Sequence, residues 1–160
     1  MAETKVTRQV AAPAEVVYDL VADVTRMGEW SPENQGAEWL DGATGPAVGA
    51  RFKGRNKRKA AWSSTCVVTE AERGRAFAFD VGTAKRVDTR WRYAIEPTDG
   101  GCEVTESFEI VTVPGLAGRL LTKPSTGVSW DERPEQMRQG MEVTLERLAA
   151  AAEQLAGPQV

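Results

Sequence analysis

The chain of 160 residues contains no histidine. That absence removes Ser-His-Asp and Cys-His nucleophile activation and every histidine-ligated metal site. The two cysteines, Cys66 and Cys102, are too few for a disulfide framework and too widely separated for a zinc site. Both fall inside apolar strand patterns and read as free, buried thiols. A Gly-rich phosphate loop is also missing, because Gly42, Gly45 and Gly49 have the wrong spacing and no helical pattern follows them. No apolar run reaches the roughly 18 residues that a membrane-spanning helix needs. The first residues, Met-Ala-Glu-Thr-Lys-Val, lack the basic-then-apolar order of a secretion signal. The expectation is a cytoplasmic protein that needs no metal or cofactor.

Charge of one sign is scarce as well. The formal net charge is −3, and the one basic cluster is Arg51, Lys53, Arg55, Lys57, Arg58 and Lys59. Its alternation reads as the solvated edge of a strand and its turn, where lysines block unwanted pairing. With no second basic face, nucleic-acid binding is not expected.

What is present is ordinary globular composition, 41% hydrophobic and 27% charged, in a length that suits a single domain over 1–160. Residues 5–10 alternate as a first strand. Pro13 and Glu15 open a short helix, and Val16, Val17, Leu20, Val21 and Val24 recur at helical spacing to about residue 23. A second helical turn over 25–30 stops at Pro32. From residue 36 the period becomes two, which places strands at 37–40, 50–56, 62–70, 76–81, 86–96 and 102–111. Turn-forming residues separate them. A dry sheet face needs a cover. Pro134 starts a long helix to residue 156, with Met137, Met141, Leu145, Leu148, Ala152 and Leu155 on one side and Gly157-Pro158 at its end. The order predicts an α+β fold, a curved antiparallel sheet wrapped around a long C-terminal helix with two short helices after the first strand.

This helix-grip order comes with local signatures. They are Ala11-Ala12-Pro13-Ala14-Glu15-Val16-Val17-Tyr18, Met27-Gly28-Glu29-Trp30-Ser31-Pro32-Glu33, Trp39-Leu40-Asp41-Gly42 and Val48-Gly49-Ala50-Arg51-Phe52. Trp91-Arg92-Tyr93, Glu96-Pro97, Thr105-Glu106-Ser107-Phe108 and the Arg138–Leu148 stretch continue the series. With them the chain resembles the START/Bet v 1-like (SRPBCC) superfamily, in its polyketide cyclase/dehydrase group, over nearly its whole length. The resemblance implies a cavity between the concave sheet face and the long helix.

Alternation assigns Trp39, Phe52, Phe77, Phe79, Trp91, Tyr93, Phe108 and Ile110 to that inner face. Helical spacing adds Met27, Trp30, Met137 and Met141. Such residues fill a solid core or line an adaptable apolar pocket; five tryptophans and methionines on the covering helix suit the pocket. Glu106 shares the inner face with Val104 and Phe108. It either pairs with a neighbouring-strand arginine, sits at a partly solvated end position or, if dry and unpaired, keeps its proton and serves as acid or base. Tyr93 is a second candidate for that chemistry, with Asn56, Ser64 and Thr89 as weaker polar contacts; Asp19 reads as surface. Residues 113–132, including a short helix over 115–121 and the apolar pair Leu120-Leu121, read as a lid. The loop 41–49 and the turn 82–85 would form the opposite rim.

The first functional reading is a carrier of a hydrophobic small molecule, such as a lipid, polyketide or aromatic metabolite, acting as a monomer or homodimer. An enzyme of the polyketide cyclase, aromatase or dehydrase type comes second. A sacrificial binder of a reactive natural product such as an enediyne is third, and a chaperone-activating interaction module fourth. A Glu106 that faces a dry cavity beside Tyr93 favours chemistry; a Glu106 paired with arginine outside favours simple binding.

Overall fold

A computed structural model describes residues 3–158. Seven strands run as β1 (Glu3–Val10), β2 (Asn34–Trp39), β3 (Arg51–Lys57), β4 (Ala61–Glu72), β5 (Ala76–Thr83), β6 (Arg86–Thr98) and β7 (Gly101–Ile110). They form one antiparallel sheet in the order β1-β7-β6-β5-β4-β3-β2. Short helices α1 (Ala14–Val21) and α2 (Met27–Trp30) lie between β1 and β2. Helices α3 (Leu116–Thr126) and α4 (Arg133–Ala156) follow the sheet. This is the helix-grip arrangement, α4 lying across the concave face. Among the described residues no helix is long and apolar enough to cross a membrane.

The sheet curves because its ladder is interrupted. Register shifts occur at Asn34/Gly36, Val68/Glu70 and Val81/Gly82, and bulges of this kind bend a strand and increase its twist. Gly82 holds φ +144 at one of them, and a β-carbon there would lie 2.2 Å from the Arg86 carbonyl oxygen. Only glycine fits such a site without displacing the backbone.

At one end of the sheet α1 closes the core. Val17, Leu20 and Val21 are buried there, and Tyr18 meets Phe77 edge-on with ring centroids 6.5 Å apart. Leu145, Leu148, Ala149 and Ala152 of α4 join the same cluster. Fully burying a side chain of this size contributes about 1.5–3 kcal/mol, so this end anchors the fold. Toward the other end of α4, Met137 and Met141 pack with Phe108 as a smaller cluster.

Several sequence expectations shift. The basic cluster is not on an edge: β1 and β2 are the edges, and β3 lies between β2 and β4. Arg51, Lys53, Arg55 and Lys57 are instead the exposed face of an interior strand, where Arg51 pairs with Asp41 at 2.6 Å. α1 stops at Val21, because Asp23 accepts a bond from the Thr25 amide and starts a separate 3₁₀ turn over Val24–Arg26. β2 begins three residues before its expected start, since the Gly36 bulge hides its alternation.

The helix expected over 115–121 continues through Pro124 to Thr126. Proline removes one backbone donor there. The Ser125 hydroxyl donates to the Leu121 carbonyl, and the Thr126 hydroxyl to that of Thr122. Gly127, at φ +93, ends the helix in the left-handed conformation.

Candidate ligand cavity

Between the concave face and α4 lies a cavity of about 280 Å³, near the lower end of ordinary ligand pockets. Of the residues assigned to the inner face, Met27, Phe52, Phe79, Trp91, Tyr93, Phe108, Ile110, Met137 and Met141 line it. The polar candidates Glu106, Asn56, Ser64 and Thr89 line it too. Trp91 and Phe108 lie against each other with centroids 4.7 Å apart and ring planes tilted by 45°, forming an aromatic wall.

Trp30, Trp39 and Phe77 lie outside that lining. Trp30 is buried in the core, with the Arg26 guanidinium 5.1 Å from its ring centre. Trp39 packs edge-on behind Phe52, at 5.7 Å between centroids. Phe77 is fully buried between Tyr18 and Phe79, on the α1 side. Their side-chain parity is as expected. α1 turns the inner face at Phe77 into solid core, while Trp39 stays half-buried on the edge strand β2.

The expected rim lies away from the cavity lining, and the expected lid segment meets it only at Trp130. Leu120 and Leu121 are 67% and 65% exposed, and no residue of α3, of loop 41–49 or of turn 82–85 lines the cavity. Further lining comes from Ser31, Pro32, Glu33 and Asn34 after α2, from Arg58 of the β3–β4 turn, from Trp62 of β4, and from Trp130 and Arg133. Of these only Trp130 falls in a segment the sequence assigned to the site, the lid over 113–132; the others were not singled out for it. Arg58 was visible only as part of a charge cluster, and Glu33 only within a family-like segment.

Glu106 dominates the chemistry. β7 pairs it directly with Tyr93 of β6, on the inner side of both strands. The Tyr93 hydroxyl donates to Glu106 Oε1 at 2.8 Å, while Oε2 is buried and has no hydrogen-bond partner among the described residues. No arginine reaches it: Arg90 binds Asp80 and Arg92 binds Glu70 on the convex face. Burial pushes the Glu106 carboxyl up to about 8, with the Tyr93 hydrogen bond opposing the shift. At neutral pH the group is therefore mostly a neutral acid, and its own proton is free to donate. Burial, and then the charge of Glu106, hold the Tyr93 phenol well above its ordinary value.

A second polar strip crosses β2, β3 and β4. Asn34 Nδ2 donates to Asn56 Oδ1 at 3.1 Å, and Asn56 Nδ2 donates to Ser64 Oγ at 3.1 Å. The chain of amides fixes the acceptor role of Ser64, leaving its own hydroxyl proton directed to no protein acceptor among the described residues. Cys66 also lines the cavity, and burial raises its thiol to about 12. It is a packing residue here, not a nucleophile. Asp19 is on the surface as expected, bound by Arg73 at 2.7 Å. Among the described residues no group of three or more cysteine, aspartate or glutamate side chains is arranged to hold a metal.

The sheet and its covering helix are shared with known proteins. A family model described as polyketide cyclase / dehydrase and lipid transport matches residues 1–153. The chain belongs to this family. Among solved structures, a Polyketide_cyc-like protein from Corynebacterium glutamicum is 33% identical, with 96% of this chain and 90% of that one covered at a TM-score of 0.57. A protein from Chromobacterium violaceum shares the fold at 18% identity, covering 96% of this chain and 99% of its own, with a TM-score of 0.67. The di-domain ARO/CYC StfQ of the steffimycin biosynthetic pathway is 15% identical; 97% of this chain covers 51% of it at a TM-score of 0.73. No curated protein sequence matches the chain.

Proposed function

We propose that this family member binds a hydrophobic small molecule carrying a carbonyl or comparable oxygen, of the polyketide, aromatic or lipid kind. The supporting observation is the unpartnered Glu106 Oε2 in the wall of a predominantly apolar cavity. A buried polar atom without a partner is costly, about 1–3 kcal/mol. A ligand oxygen accepting from the protonated carboxyl removes that cost. The aromatic wall of Trp91 and Phe108 holds the planar body of the guest, and Met27, Met137 and Met141 adapt to its outline.

Fluorescence titration with neutral N-phenyl-1-naphthylamine tests the cavity. Saturable binding is expected, and Val81→Phe, which adds bulk to the lining, should weaken it. Binding unaffected by that change would count against the cavity.

One observation favours a second reading, a cyclase or dehydrase acting in the same cavity. A neutral carboxylic acid hydrogen-bonded to a phenol can protonate a carbonyl or a departing hydroxyl, and as carboxylate it can take up a proton afterwards. Native mass spectrometry of the protein incubated with an aromatic β-hydroxyketone separates the two. A bound ligand of unchanged mass supports the carrier; a product lighter by one water that disappears in Glu106→Gln supports the enzyme.

A further inference from the structure

At the α2–β2 side of the cavity, three charged residues from three segments converge. Glu33 follows α2, Arg58 sits in the β3–β4 turn, and Arg133 begins α4. Arg133 Nη2 lies 2.8 Å from Glu33 Oε1, and Arg58 Nε donates to the same oxygen at 3.2 Å. All three line the cavity, and their side chains keep only 14%, 26% and 13% of their surface exposed.

The two guanidiniums are held differently. Arg133 is fixed on every side: by Glu33, by the Gln136 amide oxygen, and by the ring of Trp62, 5.9 Å from its central carbon. Gln136 is itself tied to the Thr126 carbonyl at 3.0 Å. Arg58 uses only Nε. Its two terminal amino groups have no protein hydrogen-bond partner among the described residues, and one of them points along α4 toward Gly140, where a β-carbon would come within 3.6 Å.

The charges do not balance. Two cations share one carboxylate, which leaves one positive charge on the partly exposed Arg58 at the cavity wall. The other ionisable acids of the lining do not offset it: Asp88 is paired with Arg86 at 2.8 Å, and Glu106 is bonded to Tyr93. Partial desolvation makes such an unbalanced charge unfavourable, and a counter-charge entering the cavity relieves it. An Arg fork with free amino groups is suited to an oxyanion, which it binds through paired N–H donors.

We propose that Glu33, Arg58 and Arg133 form an oxyanion subsite, so that the preferred ligand is an apolar molecule with a carboxylate or sulfonate group at one end. This rests on the cavity being a ligand site and adds the ligand's charge. Arg58 is the contacting residue, Arg133 the fixed neighbour that raises the local potential, and Glu33 the carboxylate that holds both in place. The ligand then has two polar anchors, its anionic group at Arg58 and an oxygen at Glu106, separated by the aromatic wall.

Two probes of one skeleton test this. 8-Anilinonaphthalene-1-sulfonate and N-phenyl-1-naphthylamine differ only in the sulfonate, and both fluoresce on entering an apolar pocket. The anionic probe should bind the native protein more tightly. Arg58→Gln should weaken it about tenfold, the size of one lost charge-assisted hydrogen bond, and change the neutral probe by less than about twofold. Arg58→Lys should recover part of the loss. Glu33→Gln keeps an acceptor for both arginines but removes the opposing charge, so it should tighten the anionic probe alone. Equal effects of these changes on both probes, or no effect on either, would overturn the subsite and leave the cluster a structural brace. If neither probe binds the native protein, the cavity reading fails first, an outcome distinct from loss of anion preference.

Discussion

The Tyr93 hydroxyl donates a 2.8 Å hydrogen bond to Glu106 Oε1 across adjacent strands, and both side chains are buried. The partner of the carboxyl is thus a neutral phenol, not a cation. A salt bridge would have kept Glu106 ionised; this environment keeps it protonated.

The pH dependence of stability follows from that pairing. Glu106 titrates near 4.5 when solvated and at about 8 in the fold. The folded state therefore holds the proton more tightly. The associated stability is present below the lower value, declines by about 1.4 kcal/mol per pH unit at most between the two, and is gone above the upper one. Glu106→Gln retains an acceptor for Tyr93 and does not titrate. Its unfolding midpoint in urea should vary less between pH 5 and 8 than that of the native protein, with the largest gain over native near pH 8. Parallel pH profiles for the two proteins would refute the assignment.

Tyr93→Phe removes the one interaction that opposes the upward shift at Glu106. The carboxyl should then keep its proton to still higher pH. An infrared titration of the protonated carbonyl stretch, read as the difference from Glu106→Gln, checks this. A downward shift would mean that the phenol is not the controlling partner.

Both cysteines are buried, and burial raises the thiols of Cys66 and Cys102 above their ordinary value. Native protein at pH 8 should react with 5,5′-dithiobis(2-nitrobenzoate) far more slowly than unfolded protein, which should titrate as two thiols. Rapid reaction at Cys66 would show that solvent enters the cavity freely.

Phe77 is a test of the boundary between core and cavity. It is fully buried and lies outside the lining. Phe77→Leu should cost about 1–2 kcal/mol of stability through imperfect packing. Affinity for N-phenyl-1-naphthylamine should change by less than about twofold. A selective loss of binding at unchanged stability would move Phe77 into the site.

Much of this architecture was legible in the residues. Alternation in β3 to β7 separates inner from outer side chains because a strand repeats every two residues, and that pattern survives burial. It placed Glu106 and Tyr93 on the inner face. Where the backbone bulges, the pattern breaks, so the start of β2 at Asn34 was hidden behind Gly36. Parity could not say how deep an inward residue lies: Phe77 and Phe79 share a face, yet α1 covers one and the cavity meets the other. The same holds for Trp30 and Met27 on α2.

By itself, the sequence determined the order of elements, the inward face of the regular stretches of β3 to β7, and the absence of histidine chemistry. These depend on local geometry and composition, which a linear chain carries directly. Tertiary structure alone decided that Glu106 meets a phenol and not an arginine. It alone brought Glu33, Arg58 and Arg133 together from positions up to 100 residues apart in the chain. Pairing and desolvation depend on which segments become neighbours, and that is fixed only when the curved sheet closes around α4.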